Sequence, residues 1–310
     1  MNIKPYKEKK GTTIHLYIRG NCGNQFFQYA FARSIQEITG GELVINYFRV
    51  RQDKKALPES DNLLRLFNTV NYRYESTPGL GGFIFMMLKA IQRLLHLKPF
   101  EKRTYRFYLW CAKNLPRLGI YYFDAAYYPF DIVRRRNLYI NGYFESPRYF
   151  KEIDHKICDE LKPKESVLAT NIEFYEEILT NESVCVTLKR KDTENERYRY
   201  SISYFTKAMQ YISGKIDNPV FFIFSDDIEW CKINIPNDYN IKFETPGNPI
   251  WEKVRLMSAC KHFIIYNSTF SWWVQHLSEN RDKIVVAPDV WMDRSDQPID
   301  IYEANWKYLT

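Results

Sequence analysis

Val220-Phe221-Phe222-Ile223-Phe224 is a run of five large apolar residues, followed at once by Ser225-Asp226-Asp227. A strand with one wet face alternates apolar and polar side chains. An unbroken run suits a strand buried on both faces, as in a parallel sheet covered by helices. The same pattern recurs outward from it. In the second half it appears at Val184-Cys185-Val186, Phe263-Ile264-Ile265-Tyr266 and Lys283-Ile284-Val285-Val286-Ala287; in the first, at Ile14-His15-Leu16-Tyr17-Ile18 and Leu43-Val44-Ile45-Asn46-Tyr47. Helical stretches lie between them, from near Asn24 to a Gly40-Gly41 stop, Tyr204 to Ser213, Trp251 to Cys260, and Ser271 to Asn280. The expected fold is α/β, with one sheet in each half. A length of 310 residues suits two medium domains, placed at 1–155 and 156–310. From Glu75 to Arg136 the pattern is irregular and rich in Tyr, Phe and basic residues, and reads as an insertion in the first domain.

The composition, 45% hydrophobic and 26% charged, has ample material for cores. The aromatic share of 17% suits stacking on sugars and bases, and equally suits core packing. A net charge of +7 favours anionic partners: nucleotide phosphates, nucleic acid or acidic lipid headgroups. The basic residues are spread along the chain rather than gathered in a tail, which counts against nucleic acid. The six cysteines are far apart with no C-x-x-C pair, and read as small buried hydrophobes in a reducing compartment. The first residues lack an apolar signal core, and no run approaches the ~18 to 20 apolar residues that span a bilayer. A cytosolic protein is expected. Phe83 to Lys98 has the look of a basic amphipathic helix, which lies either on an anionic membrane or on its own domain.

Four clusters carry chemistry. Arg19-Gly20-Asn21-Cys22-Gly23-Asn24-Gln25-Phe26-Phe27-Gln28 joins a strand to a helix, where glycines let a ligand approach the backbone and free N–H groups suit an anion. The carboxamides of Asn24, Gln25 and Gln28 both donate to and accept from hydroxyls, as a sugar requires. Thr187-Leu188-Lys189-Arg190-Lys191-Asp192 follows a buried strand, where open α/β sheets bind ligands. Its cations suit a diphosphate, and the alternative is a solvated charge run. Asp226 and Asp227 are acceptors at a strand end that suit guanine or a ribose, or else form an Asx turn. No D-x-D pair for a metal occurs in the chain. In Asn267-Ser268-Thr269-Phe270-Ser271-Trp272-Trp273, hydroxyls and N–H groups at a helix start form a phosphate cradle, unless Ser271 is only an N-cap and the tryptophans only core.

Four segments together resemble the α-1,2-fucosyltransferases of glycosyltransferase family 11. They are Gly23 to Arg33, Gly142-Tyr143-Phe144-Glu145-Ser146 with Tyr149-Phe150 (similar to the family's GYFQS…YF), Leu256 to His262 leading into Asn267 to Trp273, and Ala287-Pro288 with Trp291. The resemblance implies two Rossmann-like domains facing across a cleft, of the GT-B type, with GDP held by the C-terminal one. It implies an inverting transfer of fucose from GDP-β-L-fucose to a galactoside, with no metal or other cofactor. Donor contacts are then expected from Gly23, Asn24, Gln25, Thr187, Asp226, Asp227, Asn267, Ser268, Thr269, Phe270 and Ser271. Acceptor contacts are expected from Gln28, Tyr143, Glu145 and Trp272. The acceptor is an oligosaccharide or a lipid-linked glycan.

One segment departs from the family. Its central motif is H-x-R-R-x-D, and here Thr187 stands at the His and Lys189 at the first Arg. That Arg holds the β-phosphate in the family; Lys keeps the charge and loses the planar fork. Lys189, Arg190 and Asp192 are the expected catalytic group, with Glu194 or Glu196 as base. The departure also admits another GDP-6-deoxyhexose as donor, or a sugar-binding relative without turnover.

Overall fold

The computed structural model describes residues 11–53, 57–190, 202–291, 298 and 300–310. They form two compact units. One comprises Met1–Asn62, Val70–Ile157 and Asp296–Asp300, and the other Leu63–Thr69, Cys158–Ser295 and Ile301–Thr310.

The first unit runs β1 (Thr13–Tyr17), α1 (Cys22–Thr39), β2 (Glu42–Asn46), α2 (Phe48–Gln52), β3 (Arg73–Glu75), α3 (Gly79–Leu94), α4 (Lys102–Asn114), β4 (Ile120–Tyr122) and β5 (Asn137–Asn141). The five strands are parallel in the order β3-β2-β1-β5-β4. Register sets Ile14 beside Leu43 and Leu138, and Leu16 beside Ile45 and Ile140; all six side chains are buried. Helix α1 covers the sheet with Phe26, Phe27, Tyr29 and Phe31. It stops where its pattern does: Gly40 takes φ +66, the left-handed conformation that glycine enters at little cost, and its N–H returns to the Gln36 carbonyl. The stretch 75–136 is not the irregular insertion expected. It contains α3, α4 and β4, whose inward positions recur at helical spacing under a screen of interleaved aromatics and cations.

Helix α5 (Asp154–Glu160) carries the chain from one unit to the other. The second unit then has α6 (Ile172–Thr180), β6 (Ser183–Leu188), α7 (Ile202–Ser213), β7 (Val220–Ser225), α8 (Ile228–Asn234), β8 (Asn240–Phe243), α9 (Ile250–Ser258), β9 (His262–Ile264), α10 (Thr269–His276), β10 (Val285–Pro288) and β11 (Lys307–Leu309). Its six strands are parallel in the order β11-β10-β9-β6-β7-β8. Every residue of β6 and β7 is buried, as their unbroken apolar runs demand. Val186, Ile223, Ile264 and Val286 meet Phe205, Met209 and Ile212 of α7 in one core. Each such side chain contributes roughly 1.5–3 kcal/mol by leaving water.

Both sheets share a feature that places a site. In the first, the chain winds outward from β1 through β2 and β3, then returns to place β5 on the other side of β1. In the second it winds from β6 through β7 and β8, then places β9 on the other side of β6. Reversal of this kind leaves a crevice beyond the carboxyl ends of the two central strands, where open α/β sheets bind ligands. The crevices lie at β1/β5 and at β6/β9. Among the described residues no helix is long and apolar enough to cross a membrane. The six cysteines are free thiols, five of them buried.

Candidate functional site

At the β6/β9 end, Lys189 and Arg190 follow directly on β6; Lys189 is exposed and Arg190 half-buried. The Arg190 N–H donates to Asp226 Oδ1 at 2.6 Å, and its guanidinium lies 4.0 Å over the Trp230 ring. Arg190 Nε is buried and has no hydrogen-bond partner among the described residues. Asp227 is the N-cap of α8, its Oδ1 accepting from Trp230 N at 3.2 Å. The Asx reading of this pair is therefore correct as far as it goes. Asp226 fixes the backbone under the cation and Asp227 the backbone under the ring. Stacking of this kind contributes about 0.5–2 kcal/mol, depending on exposure. It also aligns the guanidinium without using all of its N–H groups.

Glu244, past the end of β8, is buried and accepts from Ser225 N and from Lys253 Nζ, both at 3.1 Å. Burial pushes its carboxyl above the usual range, and Lys253 opposes the shift. Nothing in the sequence pattern singled out either Trp230 or Glu244. The only signal for Trp230 was its place three residues after a capping Asp.

Thr187 is not a donor contact in this structure. It is buried, its Oγ1 accepting from Tyr266 N at 2.9 Å and donating to Ile264 O at 3.5 Å, so it ties β6 to the chain leaving β9. Asn267 follows, buried, donating to Trp291 O at 3.0 Å, while its Oδ1 has no partner among the described residues. Ser268 is the N-cap of α10, its hydroxyl accepting from Phe270 N at 3.2 Å. Thr269 and Phe270 are half-buried at the positive end of that helix, and Ser271 is buried within it. Trp272 does not face a ligand either. It is fully buried, donates to Ile301 O at 2.8 Å and stacks on His276 at 4.4 Å, which makes it core. Asp192, Glu194 and Glu196 lie outside the described residues.

At the β1/β5 end, Arg19 leaves β1 and its guanidinium lies 4.0 Å over the Tyr143 ring. Gln28 is fully buried, and both ends of its amide grip the Arg19 backbone, accepting from N at 3.0 Å and donating to O at 2.8 Å. Gln28 therefore positions Arg19 from within the wall of the crevice. Gln25 likewise donates to the carbonyls of Gly20 at 3.0 Å and Ser60 at 2.9 Å, bracing the loop. Gly23 is buried and Asn24 half-buried in the first turn of α1.

Phe144 takes φ +53, unusual for a residue with a side chain. Its ring stacks on Phe31 at 3.9 Å and 5°, and its N–H donates to Asp124 O at 3.0 Å. This kink sets Tyr143 and Glu145 on either side of a buried ring. Glu145 is half-buried, and burial together with the Asp124 charge pushes its carboxyl up to about 7, against the pull of Arg19. Each crevice thus has one arginine stacked on one aromatic ring: Arg190 on Trp230, and Arg19 on Tyr143.

Two parallel-sheet units, each with a stacked cation at its switch point, have the build of a glycosyltransferase. The chain belongs to glycosyl transferase family 11, whose model matches residues 13–310. It is similar to the α-1,2-colitosyltransferase of Escherichia coli, 27% identical over 294 residues, covering 90% of this chain and 92% of that one. It is also similar to a galactoside 2-α-L-fucosyltransferase of Caenorhabditis elegans, 31% identical over 213 residues, covering 63% of this chain and 58% of the other. In structure it is similar to the NodZ α-1,6-fucosyltransferase soaked with GDP-fucose, with a TM-score of 0.54, 14% identity, and coverage of 91% and 96%. That last likeness concerns the fold alone.

Proposed function

We propose that this glycosyltransferase moves L-fucose from GDP-β-L-fucose to a hydroxyl of a galactoside, with inversion and without a metal, to give an α-1,2 linkage. The observation that carries the reading is Arg190, aligned over Trp230 at the switch point of the second unit, with a buried Nε that has no partner among the described residues. A guanidinium so placed suits a diphosphate. Membership of a family whose relatives are α-1,2-glycosyltransferases supports the linkage.

In the proposed reaction the acceptor oxygen attacks the anomeric carbon while the bond from that carbon to the β-phosphate oxygen breaks. GDP departs with the electron pair, and the hydroxyl proton passes to a carboxylate, for which Glu194 and Glu196 are the candidates. Negative charge grows on the leaving diphosphate, so Lys189, Arg190 and the positive start of α10 at Ser268 and Thr269 stabilise the transition state more than the ground state. Asp226 and Asp227 read the guanosine. Tyr143 and Glu145 hold the acceptor, which is part of a surface glycan and is presented at the inner face of a membrane.

A second reading replaces fucose by another GDP-linked 6-deoxyhexose. It is supported by the full-length likeness to an α-1,2-colitosyltransferase and by Thr187 and Lys189 at the family's His and Arg positions.

Thermal unfolding with nucleotides tests the donor, because a ligand of the folded state alone raises stability. GDP and GDP-fucose are expected to raise the melting temperature and UDP-sugars to leave it unchanged, with EDTA without effect on transfer. Stabilisation by UDP, or activity lost in EDTA and restored by Mn²⁺, overturns the reading.

A further inference from the structure

Helix α3 has two opposite stripes. The inner one, Gly81, Phe85, Leu88 and Gln92, recurs at helical spacing and faces the first sheet. Phe85 packs on Tyr17 at 5.3 Å and on Tyr122 at 5.7 Å, and Gln92 accepts from the Tyr122 hydroxyl at 2.9 Å. Contact at Gly81 is tight enough that a Cβ there would stand 2.4 Å from the Tyr17 ring. The outer stripe, Leu80, Phe83, Met87, Ile91 and Leu94, has the same spacing and is wholly apolar. It is also exposed: 62% at Leu80, 55% at Phe83 and 78% at Leu94. A water-facing helix normally turns polar residues outward, and a contiguous apolar stripe marks a contact surface.

Charge indicates what covers it. From Gly79 to Phe123 the chain has eight Lys and Arg residues and one acid, Glu101. Elsewhere the cations (44 less eight) equal the acids (37 less one), so this stretch alone carries the net +7 of the chain. All eight cations are exposed. On α3 the two cations, Lys89 and Arg93, project away from the apolar stripe, so the basic part of the surface is carried by α4. On α4 the outward residues are Arg103, Arg106, Trp110 and Lys113, with the indole 56% exposed. Helix α4 packs inward through Tyr108 on the same Tyr122 ring that α3 covers, 5.6 Å between centroids. An apolar stripe on one helix, and a basic face with a half-wet tryptophan on the next, match an anionic bilayer surface. A second copy of this chain matches poorly, because it brings two such positive faces together.

We propose that the outward faces of α3 and α4 dock on an anionic lipid bilayer, with α3 lying along the headgroup boundary. Leu80, Phe83, Met87, Ile91 and Leu94 enter the acyl layer, and the outward cations of α4 meet lipid phosphates. This deepens the reading above, in which the acceptor is presented at a membrane, and docking itself rests on α3 and α4 alone.

Flotation of the full chain with vesicles tests it. The chain is expected to float with phosphatidylglycerol-containing vesicles, to stay behind with pure phosphatidylcholine, and to detach as salt is raised. Met87→Glu with Ile91→Glu abolishes flotation, while unfolding temperature and transfer to a soluble acceptor stay unchanged. Arg103→Gln with Arg106→Gln weakens binding by roughly 25-fold, at about fivefold per cation. Flotation that ignores lipid charge, or that survives both double variants, overturns the proposal. So does a lipid-free dimer split by Met87→Glu with Ile91→Glu, which would assign the face to a second copy. Flotation without any transfer leaves docking standing and removes the enzymatic reading instead.

Discussion

The guanidinium of Arg190 lies 4.0 Å over the indole of Trp230, and two adjacent carboxylates hold the backbones beneath them. Asp226 accepts from Arg190 N, and Asp227 accepts from Trp230 N. The strand-end pair therefore does two jobs. It places a cation at the switch point of the second sheet, and it places a ring beside that cation.

Arg190→Ala should weaken GDP binding by roughly 10- to 100-fold, the worth of a charge-assisted contact of about 1.5–3 kcal/mol. Turnover should fall further, since the departing diphosphate gains charge in the transition state. Calorimetric titration with GDP checks the first, and single-turnover transfer the second. A variant that binds GDP as wild type does would make the Lys189–Arg190 stretch a solvated charge run.

Asp226→Asn separates the anchoring of Arg190 from the proposed contact with guanosine. The amide oxygen still accepts from Arg190 N, so the variant should fold and melt close to wild type. Any contact that needs negative charge is lost, so GDP affinity should drop by about 1.5–3 kcal/mol, as for a hydrogen bond with one charged partner. Equal affinity for GDP in Asp226→Asn and wild type would show that the residue is a backbone anchor alone.

Glu145 predicts a pH dependence. Its carboxyl titrates near 7 in the folded chain, above the ordinary 4.5, because burial and Asp124 disfavour its charge. Between these values the folded state holds a proton that the unfolded state has lost. Stability should therefore fall as pH rises from about 4.5 to about 7, and level off above. Glu145→Gln removes that slope and any matching inflection in kcat/KM. Chemical denaturation at a series of pH values is the measurement; an unchanged slope in Glu145→Gln would assign the dependence to other groups.

Much of this was open to sequence reading because the deciding pattern is local. Unbroken runs such as Val220 to Phe224 fix buried parallel strands, and Gly40 ends α1 where the apolar period stops. Strands β3, β4, β8 and β11 escaped because they are three or four residues long, with no run to read, and β5 escaped because its apolar residues are bracketed by Asn137 and Asn141. Within the loops read as the site, some side chains expected to face a ligand are turned to the protein instead. Gln28, Thr187 and Trp272 have ligand-binding chemistry, yet each is turned to backbone groups: Arg19, Tyr266 with Ile264, and Ile301 respectively. A polar atom next to a crevice serves either the ligand or the wall, and residue type does not distinguish them. Trp230 and Glu244 are the converse case, ordinary residues that acquire a role only through what the fold sets beside them.

Lys189→Arg tests the departure at the centre of the site. Lys189 stands where the family resemblance expects an arginine, and it is exposed at the end of β6, next to the anchored Arg190. The adjoining departure is structural: Thr187 ties β6 to the chain beyond β9, so its replacement of histidine is built into the wall of the crevice. Position 189 has no such constraint from burial. An arginine there has room and adds a bidentate fork to the same diphosphate, so turnover on GDP-fucose should hold or rise. If the loop is instead shaped to another donor, a longer planar group misplaces the phosphates and turnover falls at least tenfold, about 1.4 kcal/mol on the barrier. The measurement is GDP release by wild type and Lys189→Arg on GDP-fucose and other GDP-deoxyhexoses, with a galactoside acceptor. A rise in the variant on GDP-fucose supports fucose as the donor. Wild-type turnover on another GDP-deoxyhexose with none on GDP-fucose replaces the sugar and leaves the Arg190–Trp230 diphosphate site in place.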